Sequence, residues 1–255
     1  MRPGWGSRGF VPAGGSTSLR LFPPLTPGIR LLAIGLGVCY LVEILWFNWI
    51  GPRLFAESES ARALLFHLPL VPAELFQGYL WQPLTSLLLH DPTSPSHLLL
   101  NLLMLWLFGA ELETGWGVRR FFRFLLLGGL GGAVGVVLLG LLLDELWVTP
   151  VLGCSGAVYA LLAAYGSLFP ERLLWPLPLK ARHLVLVVLG LTVLSFLVQD
   201  SQSFGAHLGG LATGWLLTGG RRWLQRRRRP SRGANVRYLE DELRRRGRGQ
   251  GPWLN

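Results

Sequence analysis

Five polar side chains interrupt long apolar runs of this chain: His97, Asn101, Ser155, Tyr159 and His207. Such groups are costly in an apolar medium, and where they persist in a membrane-crossing segment they mark function. Their types point to acyl transfer. A serine hydroxyl is a poor nucleophile until a neighbouring base takes its proton, and His207 is the natural base. The oxyanion that then develops needs preorganised donors. Asn101 and His97 are four residues apart and so share a helix face; they can donate beside the Ser155 backbone N–H. Tyr159 lies one helical turn from Ser155 and can hold an imidazole by packing against it. A lone membrane serine usually bonds only its own helix backbone, and a His/Asn pair can be mere interhelical glue. The combination, not any one residue, points to catalysis.

These side chains need elements to carry them. About 20 mostly apolar residues cross the ~30 Å hydrocarbon core as a helix, and in lipid an open-ended segment must be helical to satisfy its own backbone. Six candidates stand out: Ile29 to Ile50, Ser96 to Glu113, Phe121 to Leu143, Gly153 to Phe169, His183 to Val198, and Gly205 to Leu224. The expected fold is an all-α, six-transmembrane-helix bundle over residues 28–225. It is flanked by a disordered Gly- and Pro-rich arm, 1–27, and a basic tail, 226–255. The fourth segment has 17 residues, or ~25 Å at ~1.5 Å per residue. If its inner end reaches the cytoplasmic interface, Ser155 starts below the outer surface and needs a water-filled cavity. Small residues mark packing faces: Gly128, Gly131, Gly132 and Gly135 on the third segment, Gly156, Ala160 and Ala164 on the fourth, and Ala206, Gly210 and Gly214 on the sixth. The fourth and sixth are expected to pack closely.

Basic residues orient the bundle. With both termini cytoplasmic, 22 of the 24 Lys and Arg fall on the cytoplasmic side, and only Arg53 and Arg62 fall outside. That asymmetry is the positive-inside pattern. The five polar residues sit at the starts of the three even-numbered segments, which run from outside to inside. They therefore share one depth in the outer leaflet, and the site is expected to open to the non-cytoplasmic side. No carboxylate lies in the outer halves of these segments, so a dyad fits better than a triad.

Composition excludes other classes. Charged residues make up 15% and hydrophobic ones 51%, whereas a soluble domain carries about 25% charged residues. Twelve basic residues lie between Arg221 and Arg248; directly after an apolar segment, they suit anionic lipid, not nucleic acid. The partner expected is the bilayer. Cys39 and Cys154 form neither a disulfide framework nor a zinc site, and Cys154 reads as a small buried side chain. There is no His-Glu-x-x-His metalloprotease pattern. Gly153 to Ala157 is not the soluble hydrolase elbow, which needs glycine at Ala157. The N-terminus lacks a signal-peptide pattern. The first outer loop, Gly51 to Pro95, includes Ala63–Phe66, Leu75-Phe76 and Tyr79-Leu80-Trp81; it either submerges in the interface or packs on the helix ends. Glu43, a carboxylate within the first segment, either accepts hydrogen bonds inside the bundle or lines a water cavity. His67 reads as a plain loop residue, His90 as structural, and His183 lies in the wrong leaflet for the site.

The motifs resemble those of the rhomboid intramembrane protease family. Gly153-Cys154-Ser155-Gly156 is similar to its Gly-x-Ser-Gly nucleophile motif. Tyr159 falls where the family has its tyrosine, Ala206 to Gly210 resembles Ala-His-x-x-Gly, and His97 to Asn101 resembles His-x-x-x-Asn. The likeness spans about Trp81 to Leu217. It implies a six-helix rhomboid-like bundle and a serine endopeptidase cutting transmembrane segments. The catalytic pair would be Ser155 and His207, supported by Asn101, His97, Tyr159, Gly153 and Gly156, with no metal and no cofactor. Two departures stand out: Gln82 follows Trp81 where the family often has arginine, and His90 lies further from His97 than usual. The rival functions are a non-catalytic escort for membrane proteins and a transporter. The first needs neither Ser155 nor His207; the second often shows internal repeats, and none is evident.

Overall fold

The computed structural model describes residues 23–50, 67–174, 179–198 and 203–220. The basic tail, Ala63–Phe66, Arg53, Arg62, Asp200 and the arm up to residue 22 lie outside the described residues. Among the described residues the chain is helical, with no strand beyond two isolated bridges, Leu70 with Val151 and Leu173 with Lys180. In order come α1 (Pro27–Leu45, extended by a π-helical turn Trp46–Ile50), α2 (Pro72–Leu75), α3 (Gln82–Thr85), α4 (Pro95–Trp116), α5 (Val118–Gly140), α6 (Asp144–Trp147), α7 (Ser155–Leu168), α8 (Ala181–Val198) and α9 (Phe204–Trp215, extended by a π-helical turn Leu216–Gly220).

A helix falls on each of the six expected segments. Four are long and apolar enough to cross a membrane: α1 with its extension, α4, α5 and α8. The other two are shorter. α7 has 14 residues, about 21 Å at ~1.5 Å per residue. It starts at Ser155, not at Gly153 as expected. Gly153 has φ +109°, a conformation that only glycine adopts without strain, so it forms the turn ahead of the helix. Proline opens α1 and α4, where a missing N–H costs nothing.

The N-terminus of α1 is capped from a distance. Glu113, in the last turn of α4, accepts hydrogen bonds from the Thr26 hydroxyl, from Gly28 N–H at 2.7 Å and from Ile29 N–H at 3.0 Å. One buried carboxylate thus satisfies donors that a helix start leaves open. A Cβ on Gly28 would come within 2.7 Å of that carboxylate, so glycine is needed for the approach.

The bundle is built around α7, of whose 14 residues 11 are buried. Glycines let α5, α7 and α9 touch backbone to backbone. A Cβ on Gly132 would lie 3.0 Å from the Ala206 carbonyl and 3.1 Å from Gly156 Cα. On Gly210 it would overlap the Gly156 carbonyl, and on Gly214 the Ala160 carbonyl. The small-residue faces read from the sequence therefore meet, and the fourth and sixth segments pack closely. α8 is the opposite case: only Ala181 and Thr192 are buried, while Leu186, Leu191, Leu194 and Leu197 are exposed. α1 likewise exposes Leu31, Ile34, Val38 and Leu41. Apolar surface of this extent is not sustainable in water and fits lipid.

The described part of the first loop shares both expected characters. Its inner side packs on the bundle: Pro72 abuts Gly140, and Leu87 abuts Gly129. Its outer side exposes Phe76, Leu80, Trp81, Leu84 and Leu88. Fully buried Gln82 holds the loop together, accepting from Val71 N–H at 3.1 Å and donating to Glu74 at 2.6 Å. His67 is more than a plain loop residue. It pairs with Glu74 at 3.0 Å, stacks on Tyr79 at 4.4 Å, and its carbonyl accepts from the Trp81 indole at 3.0 Å.

Candidate active site

Ser155 stands at the first residue of α7, where backbone N–H groups have no intrahelical acceptor and the helix dipole is positive. The preceding turn is fixed from two sides. Leu70 and Val151 exchange backbone hydrogen bonds of 2.8 Å, and Gly153 N–H donates to the Ser86 carbonyl at 2.9 Å. Glycine at 153 is required twice over. Its φ is positive, and a Cβ there would meet the His97 ring at 2.9 Å. Gly156 is required by the contact of α7 with α5, since its Cβ would lie 3.2 Å from Gly132 Cα.

His207 sits in the first turn of α9, its backbone N–H bonded to the Ser203 carbonyl at 3.0 Å. Its Nε2 lies 3.1 Å from Ser155 Oγ. The Tyr159 ring lies flat on the imidazole, with centroids 3.8 Å apart and planes 6° from parallel. Close packing of α7 on α9 is what brings residues 52 apart in sequence to this distance.

Asn101 and His97 reach the same turn from α4. The Asn101 Nδ2 is buried without a hydrogen-bond partner and lies 4.0 Å from where a Gly153 Cβ would stand. A buried donor left open costs about 1–3 kcal/mol, and such groups gather where function requires them. Ser155, His207 and Tyr159 are thus brought together, and His97 and Asn101 approach the Gly153 turn that leads into Ser155.

The surrounding groups explain how the turn is held. Glu43, undecided from the sequence, accepts from His90 N–H at 3.0 Å, and Tyr40 reaches the Pro92 carbonyl at 3.5 Å. One face of α1 therefore anchors the loop that leads into α4. His90, expected to be structural, lies beside the turn. It is buried, its Nε2 lies 3.6 Å from Cys154 Sγ, and its ring lies 5.2 Å from that of His97. Burial, with the adjacent His97, pushes its imidazole down to about 4, so it is neutral near pH 7. Cys154 is a buried side chain beside His90, and among the described residues no cluster suits a metal. His183 lies beside Arg182 at the start of α8, away from the site.

Two contributors were not picked out from the sequence. Gln82 orders the loop where the family often has arginine. Thr192 on α8 places its hydroxyl 3.0 Å from that of Tyr159. The only sequence signal for Thr192 is a hydroxyl within an apolar run, and most such hydroxyls bond their own helix.

Residues 77–222 match the rhomboid domain. The chain is 31% identical over 194 residues to YdcA of Bacillus subtilis (strain 168), which bears a rhomboid-protease name; the match covers 74% of this chain and 89% of that one. It is 30% identical over 125 residues to the mitochondrial rhomboid protein 1 of Saccharomyces cerevisiae (strain ATCC 204508 / S288c), covering 47% of this chain. Against the yeast protein the match spans only 36% of the relative's length. With the all-helical bundle and its membrane-length apolar helices, these matches place the chain among integral membrane proteins, and it belongs to the rhomboid family.

Proposed function

We propose that this protein is an intramembrane serine endopeptidase that cleaves transmembrane segments of other membrane proteins with a Ser155–His207 dyad. The observation that carries the proposal is the 3.1 Å separation of His207 Nε2 and Ser155 Oγ at the start of a buried helix. Ser155 Oγ attacks the scissile carbonyl as His207 takes its proton. The oxyanion is received by the Ser155 backbone N–H with Asn101 and His97. His207 then returns the proton to the leaving amine, and water hydrolyses the acyl-enzyme by the same route. Tyr159 holds the imidazole, and Gly153 and Gly156 allow the turn and the helix contact. The catalytic domain is residues 28–225, with six spans, cytoplasmic termini and a site opening to the opposite side. The arm 1–27 and the tail 226–255 flank it.

The test uses purified protein in detergent, a single-span substrate and a fluorophosphonate probe. Ser155→Ala and His207→Ala should each reduce cleavage to near background, and the double variant should be little worse, because the two act as a unit. Probe labelling should require both residues. Full cleavage by Ser155→Ala ends the serine-protease proposal. A folded wild type that neither cleaves nor labels favours the non-catalytic escort.

A further inference from the structure

The base His207 is braced by Tyr159, and Tyr159 is in turn braced by a residue of a different helix. Thr192 is 3% exposed on a helix where only Ala181 is also buried. Its Oγ1 lies 3.0 Å from the Tyr159 hydroxyl and 2.8 Å from the Val188 carbonyl. Thr192 has one hydroxyl proton, and a carbonyl can only accept. Thr192 is the donor in both contacts, its one proton shared between the Tyr159 hydroxyl and the Val188 carbonyl. The contact orients the ring. It fixes the tilt of a ring that lies 3.8 Å from the imidazole and 6° from parallel.

We propose that Thr192 is a positioning residue for the base, holding the Tyr159 ring against His207 and so linking the chemical step to the docking of α8 on α7. This role rests on the serine–histidine chemistry proposed above. α8 has little other buried surface, so the same hydroxyl reports at the base whether this helix is seated.

The experiment compares full-length wild type, Ser155→Ala, Thr192→Val, Thr192→Ser, Tyr159→Phe and the Thr192→Val/Tyr159→Phe double variant. kcat and KM are measured separately on a single-span substrate, with the rate of fluorophosphonate labelling. Thr192→Val, nearly isosteric, should lower kcat and labelling roughly three- to tenfold, as loss of one neutral hydrogen bond allows, with KM unchanged. Tyr159→Phe should match it, and the double variant should be no slower than either single change. Thr192→Ser, which keeps the hydroxyl, should retain wild-type kcat within about twofold, well inside the effect of a whole hydrogen bond. Wild-type kcat in Thr192→Val, effects that multiply in the double variant, or a Thr192→Ser as slow as Thr192→Val would each overturn the role. In all three cases an inactive Ser155→Ala leaves the dyad standing. An active Ser155→Ala overturns both.

Discussion

A change at Asn101 tests catalysis apart from stability at a single side chain. Its buried Nδ2 has no hydrogen-bond partner, so truncation removes an unsatisfied donor and no native hydrogen bond made by that atom. Asn101→Ala should slow cleavage by roughly 10²–10³, the size seen when a soluble oxyanion hole loses one donor. Its unfolding temperature in detergent should fall little, and the measurement is both quantities on one preparation. A parallel loss of fold and activity would make Asn101 a packing residue. The polar residues of the site were legible in the sequence because an apolar background makes each one conspicuous. Thr192 and Glu113 were not. A threonine within a helix has a local acceptor ready, as Val188 shows at 2.8 Å. A glutamate at a helix end looks solvated until its distant partners, Gly28 and Ile29, are placed beside it.

Among the helices, glycine position decides which contacts are rigid. A Cβ on Gly210 would overlap backbone atoms of Gly156, and backbone cannot rotate away. Gly190 on α8 has nothing within 4 Å of the same point. Gly210→Ala should force α7 and α9 apart, destabilise the bundle by about 1–3 kcal/mol or more, and depress cleavage by widening the Ser155–His207 gap. Gly190→Ala should be neutral or stabilising by up to ~1 kcal/mol, because alanine is the better helix former. Thermal unfolding and cleavage of the pair check both directions. Helix existence and packing faces could be read from hydropathy and small-residue spacing. The start of α7 could not, because Gly153 looks like part of an apolar run until its φ of +109° puts it in the turn. The first loop was also obscure. Its order depends on Gln82 meeting Val71 and Glu74, a contact that no periodic pattern announces.

For the whole molecule, the proposed orientation rests on the division of 22 against 2 basic residues across the expected spans. A cysteine at Asp200 should react with an impermeant thiol reagent from outside in intact cells, whereas one at Gln225 should not. The opposite pattern would invert the proposed topology. The glycine-lined contact of α5, α7 and α9 has a mechanical consequence. Helices usually answer a change in bilayer thickness by tilting, and independent tilting would shear a site shared by two of them. Here Ser155 and His207 ride on helices that touch main chain to main chain next to their contact. Main-chain contact should make these three move as one block, so that thickness strain falls on α8 and α1, whose apolar side chains are exposed.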